Sequence, residues 1–109
     1  MSLHIFRVTV RGQFAELEPS QRAALLAVAD DHSVFRSAYT REGTFTYEPN
    51  LVAFNFRYEI REPDDDGRDA RAAAEQRGLE LAVAALAEGS LGHKHLRVTV
   101  ADMADMWKG

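Results

Sequence analysis

The sequence predicts a small α+β domain: a four-stranded antiparallel sheet with two helices covering one face. Three observations predict it. First, three runs alternate apolar and polar residues with period two, the mark of strands with one face buried and one wet. They begin at Phe6, Val52 and Leu96, and the first and last share the tetrapeptide Arg-Val-Thr-Val at 7–10 and 97–100. Second, two segments between them carry apolar residues at helical spacing. Third, the order reads strand, helix, strand, strand, helix, strand. With right-handed crossovers that order gives the ferredoxin-like βαββαβ sandwich, with the first strand beside both the third and the last.

The first strand spans Leu3 to Arg11, and Gly12 ends it. Glu18-Pro19-Ser20-Gln21 opens a helix, because proline at the first helical position loses no needed N–H. Leu25, Val28, Ala29 and His32 share one face of that helix, which stops near Asp31. A long extended stretch from Val34 to Tyr47 follows, with Gly43 marking a bulge or bend. Pro49-Asn50 turns the chain, and Leu51 to Arg61 returns as the most apolar strand, making a hairpin. Pro63 and Asp64-Asp65-Asp66-Gly67 close this strand. They lead a second helix over 68–88, the acidic residues opposing its dipole. Its core stripe reads Leu79, Ala82, Val83 and Leu86, and Gly89 stops it. The last strand covers His95 to Ala101. The predicted core is Phe6, Val8, Val10, Val52, Phe54, Phe56, Tyr58, Ile60, Leu96, Val98 and Val100.

At 109 residues the chain makes one domain over 1–109, with a short tail at 102–109. The start moves straight into strand pattern at His4, and no apolar run approaches the roughly 18 residues of a membrane span, so neither a signal peptide nor a membrane partner is expected. The expected compartment is the cytoplasm. Cysteine is absent, which removes disulfides, thiolate metal sites and cysteine nucleophiles. The formal charge of −4 repels phosphate backbones at long range. The aromatics Phe6, Phe54, Phe56 and Tyr58 fall on the core side rather than on the face where RNA bases would stack. Nucleic acid is therefore not an expected partner. Arginine outnumbers lysine eleven to two, the codon bias of a GC-rich bacterial genome.

The stretches His4–Gly12, Phe54–Arg61 and His93–Trp107 resemble a family of short, uncharacterised actinobacterial proteins with a ferredoxin-like α+β fold. The resemblance covers most of the chain. It implies a similar small fold and brings no catalytic motif with it.

The open sheet face is the first candidate site. Arg7, Asn55, Arg57, Glu59 and Arg97 fall together on it, with Thr9 and Thr99. Arginines so grouped grip a carboxylate or phosphate bidentately. The plainer alternative is a solvated face whose arginines pair with Glu59 across strands. A third is a homodimer that buries this face around a cavity, where an anion would partner the arginines. His95, where the chain enters the last strand, joins Arg7, Arg57, Arg97 and Asn55 as a ligand-binding candidate. An acidic edge is expected to gather His4, Asp30, Asp31, His32, Asp64, Asp65, Asp66, Asp102 and Asp105. It lacks a compact ligand spacing such as His-Glu-x-x-His, so no metal is assigned. There is no glycine-rich phosphate loop opening a helix and no nucleophile elbow, so no cofactor is assigned either. Met103, Met106 and Trp107 in the tail are candidate interface residues.

The leading expectation is a small homodimeric binding or interaction domain. The alternative is a cofactor-free enzyme of the dimeric α+β barrel type, acting on a small anionic or aromatic substrate. There Arg7, Arg57 and Arg97 would orient the anion and His95 or Tyr39 would handle the proton.

Overall fold

The computed structural model describes residues 3–33, 37–63 and 67–103. It is an α+β fold built on one four-stranded antiparallel sheet and two α-helices. The elements are β1 (Leu3–Phe14), α1 (Pro19–Ala27), β2 (Thr44–Tyr47), β3 (Ala53–Pro63), α2 (Gly67–Glu88) and β4 (His93–Asp102), with a 3-10 turn at Ala29–His32 after α1. The strand order is β2-β3-β1-β4, so β1 lies between β3 and β4. Val8 faces Tyr58 on one side and Val100 on the other.

The period-two pattern sorts the two faces as the sequence predicts. Phe6, Val8 and Val10 of β1 and Phe54, Phe56, Tyr58 and Ile60 of β3 are buried in one cluster, with Leu25 from α1 and Leu86 from α2. Leu96, Val98 and Val100 of β4 are half-buried against that cluster. The aromatic residues pack as a connected group. Phe45 stacks on Phe56 at 4.6 Å, and Phe54 meets Phe56 edge-on at 5.7 Å.

Four elements differ from their sequence reading. β1 does not stop at Gly12 but runs on to Phe14. A β-bulge lets it continue: between Arg11↔Arg97 and Gln13↔Lys94, β1 advances by two residues and β4 by three. Gly12 fits beneath because a Cβ there would stand 2.7 Å from both Leu96 and Phe54 side-chain atoms. The second strand is four residues long, not fourteen. Of its expected length, Thr40 makes an isolated bridge to Tyr58, and 34–36 lie outside the described residues. Val52, expected in the core, is 52% exposed, and Leu51 is buried instead. Leu51 takes φ +55 at the hairpin, which breaks the alternation before β3 begins.

The fourth difference is the buried stripe of α2. Ala70, Ala74, Gly78, Ala82 and Leu86 recur at every fourth residue and are all buried, whereas Val83 is exposed. Small residues let the helix axis approach the sheet. At Gly78 an added Cβ would lie 2.5 Å from Val8 Cγ1. Alanine gains about 1 kcal/mol of helix propensity over glycine, but Val8 is fully buried and stiff at χ1. Overpacking of a dense core costs about 1–3 kcal/mol. Gly78→Ala is therefore expected to lower stability despite better propensity, read as a lower urea midpoint with unchanged slope.

α1 begins as its sequence predicts, with Pro19 at its first position and Gln21 Oε1 accepting from the Glu18 N–H at 2.8 Å. Gln21 Nε2 also donates to the Ser90 carbonyl at 2.7 Å, tying this end to the turn after α2. At the other end, the Tyr47 hydroxyl donates to the Leu25 carbonyl at 2.5 Å.

Burial shifts two phenols. Tyr58 is pushed up from 10.0 to about 12 by desolvation. Tyr47 is also raised, by burial first and by the Asp31 charge second. Both phenols hold their protons in the folded chain above pH 10, where the unfolded chain releases them. The unfolded state then binds fewer protons, so their neutral burial is fully accommodated below pH 10 and stability falls as pH rises towards 12. Each such group contributes a slope of up to about 1.4 kcal/mol per pH unit. Tyr58→Phe is expected to make the alkaline loss shallower, measured as urea midpoints from pH 9 to 11.5.

Candidate anion-binding face

The open face carries alternate residues of each strand, and the register sets their rows. Thr44, Arg57, Thr9 and Thr99 form one row across β2, β3, β1 and β4. Thr46, Asn55, Arg11 and Arg97 form the next. Glu59, Arg7 and Ala101 form the row on the other side.

These rows divide the expected arginine cluster in two. Arg7 lies under the segment before β2, with its guanidinium carbon 5.2 Å from the Tyr39 ring centroid. The Tyr39 hydroxyl shares a hydrogen bond with Thr9 Oγ1 at 3.0 Å. Thr40 fixes this segment by accepting from the Glu59 N–H at 2.8 Å. The sheet face is thus overlaid at its Arg7 end. Arg57 donates to Thr46 Oγ1 at 2.8 Å, which satisfies a buried threonine. Glu59 does not neutralise Arg7 across the strands. It pairs along its own strand with Arg61, at 3.0 Å to Nη2 and 3.1 Å to Nε.

Arg97 belongs to the second group. Its cross-strand partner is Arg11, which the sequence reading did not include in the site. Both are exposed, and among the described residues neither has a carboxylate within 4.0 Å. Like charges directly opposite each other destabilise a strand pair. The bulge adds His95, held at φ +57, a left-handed backbone that a histidine adopts at some cost. Arg11, Gln13, His95 and Arg97 line a concavity of about 460 Å³, with Gly12 and Ala53 at its floor.

The bulge also separates the two histidines of His93-Lys94-His95. His93 registers with the core residue Phe14, so only His95 reaches this concavity. Among the described residues, the expected acidic edge is brought together in part. His4 bonds Asp102 at 3.1 Å. His32 instead packs on Phe45 and Tyr47, and its Nδ1 lies 2.8 Å from the Phe45 carbonyl oxygen. Asp30 lies with Pro49 and Asn50, beside the β2–β3 turn. Asp64–Asp66 and Asp105 lie outside the described residues, as do Met106 and Trp107. Met103 follows β4 and is half-buried. Among the described residues no group of three or more His, Asp or Glu is placed to hold a metal ion. Among them, too, no helix is long and apolar enough to cross a membrane.

Fold and face together define a small α+β domain with an arginine pair, Arg11 and Arg97, that meets no carboxylate among the described residues, on the sheet face opposite the core. The chain belongs to DUF6204, a family of unknown function, whose model matches residues 1–109. No curated protein and no solved structure matches the chain.

Proposed function

We propose that this protein is a small homodimeric binding domain of ferredoxin-like fold, whose arginine-bearing sheet face takes a small anion. The observation that carries the reading is the Arg11–Arg97 pair: two arginines in cross-strand register, with His95 beside them and no carboxylate among the described residues to neutralise them. A sheet pays for such repulsion in stability, and a bound oxyanion converts it into two charge-assisted, bidentate contacts. The strand order β2-β3-β1-β4 supports the fold name. The exposed Arg11–Arg97 end of the sheet face supports a two-fold dimer, which would roof the concavity and dry it. The arginine-over-lysine bias supports a bacterial source, and the cytoplasm is the compartment we assign to it.

Isothermal titration of inorganic phosphate at low ionic strength tests the binding. The expected result is saturable binding, one anion per chain, with a Kd of about 1 mM or tighter, weakening as salt rises. Absence of heat and of any thermal shift up to 20-fold above that concentration contradicts it. Sedimentation velocity tests the dimer: a monomer at all concentrations up to about 100 μM would remove that part of the reading.

The enzyme reading takes His95 or Tyr39 as its proton-handling group: His95 lines the concavity, while the Tyr39 hydroxyl bonds Thr9 at the Arg7 end of the face. The two phenols raised by burial, Tyr47 and Tyr58, both belong to the core cluster, and their shift makes them poorer acids. The binding reading needs no such group and is the one preferred.

A further inference from the structure

The concavity at Arg11, His95 and Arg97 does not end at Arg11. A second hollow of about 290 Å³ lies on the other side of it, towards β2, and Arg11 and Ala53 line both. The two adjoin at Arg11 and Ala53 and together run from β4 to the β2–β3 turn. Their chemistry differs. The first holds cations and no carboxylate. The second offers Asn55, Asn50 and Thr46 beside the exposed Val52, with Glu48 at its rim. Amide and carboxylate oxygens accept hydrogen bonds, and Glu48 repels a second anionic group.

We infer that the ligand is a monophosphorylated polyhydroxy compound, with its phosphate between Arg11 and Arg97 and its hydroxyl-bearing body over Asn55 towards Glu48. This rests on the anion-binding reading above and narrows it. A phosphate monoester carries the double charge that two arginines match, and three oxygens for their forked donors. Hydroxyl groups supply the donors that the second hollow accepts. Asn55 registers between Arg11 and Thr46, so it meets the body at the first position past the phosphate.

The experiment compares ribose 5-phosphate with inorganic phosphate by isothermal titration on the same preparation, using the wild type and Asn55→Leu. Ribose 5-phosphate is expected to bind about tenfold tighter than inorganic phosphate, the gain that one or two net hydrogen bonds supply. Asn55→Leu is expected to remove most of that advantage, read as the ratio of the two affinities measured on the same variant. Circular dichroism confirms that the variant is folded. Equal affinities for the two ligands would overturn the extension into the second hollow and leave the anion site standing. An advantage that survives Asn55→Leu would overturn the placement of the body. No binding of either ligand would overturn the anion site itself, and this inference with it.

Discussion

Phe56→Ala is expected to lower the unfolding free energy by about 3–5 kcal/mol, the loss typical of a buried phenylalanine. Phe56 is 4% exposed and sits between Phe45, Phe54 and Tyr58. Its neighbours are large rings, Phe54 and Tyr58 on its own strand and Phe45 on β2, whose backbones the sheet pairing fixes, so they collapse only in part into the vacated space. A domain of this size has about 5–15 kcal/mol in hand, so the variant stands near the edge of folding. The adjacent residue provides the contrast. Arg57 projects to the opposite face and makes one hydrogen bond, to Thr46. Arg57→Ala leaves the Thr46 hydroxyl without that partner and costs about 1 kcal/mol. Urea melts of the two variants read the difference directly. Comparable losses would mean that the two faces are not buried and open as described.

Arg11→Glu is expected to abolish phosphate binding and to stabilise the protein. The substitution replaces a like-charge pair with an opposite-charge pair at Arg97, a change of about 1 kcal/mol in a strand pair. For a domain of about this length that raises Tm by roughly 4 °C. Arg97→Glu acts symmetrically. The combination matters because a merely solvated arginine gives no reason for binding and stability to move in opposite directions. A variant that loses stability, or one that binds phosphate as the wild type does, contradicts the account. Arg7→Glu serves as the control. Arg7 stands over the Tyr39 ring, away from the concavity, and its replacement removes that cation–π contact without altering the Arg11–Arg97 pair.

Much of this architecture was legible in the residues, and the reason differs by element. Period-two alternation over Phe6–Val10 and Phe54–Ile60 reports burial directly, because side chains of a strand alternate faces whatever its partners are. Pro19 and the Gln21 side chain mark the start of α1 by local chemistry alone. The misread features depend on contacts distant in sequence. The α2 stripe contains Gly78 because Val8 is there to meet it, and apolar size pointed instead to Val83. Gly12 read as a strand end, since its role under Leu96 and Phe54 exists only once β4 and β3 flank it. The bulge opposite Gly12 brought His95 to the hollow that Arg11 lines, which spacing along β4 alone does not reveal. Arg7, Arg57 and Arg97 were grouped by face, correctly, but register puts them in three different rows with different neighbours. Tyr39 reaches Thr9 from a segment that the sequence reading took as part of a long extended stretch.

The central claim is that Arg11 and Arg97 hold the anion, and nitrogen-15 NMR of the arginine Nε–Hε groups tests it most directly. Phosphate is titrated into the labelled protein at low salt, with the resonances assigned by single Arg→Lys variants. The account predicts that the Arg11 and Arg97 signals move together along one saturating curve. It predicts that those of Arg22, Arg41, Arg71 and Arg77, exposed elsewhere, move little and without saturation. Equal, non-saturating shifts at all the arginines would reduce the face to ordinary surface charge and contradict the account.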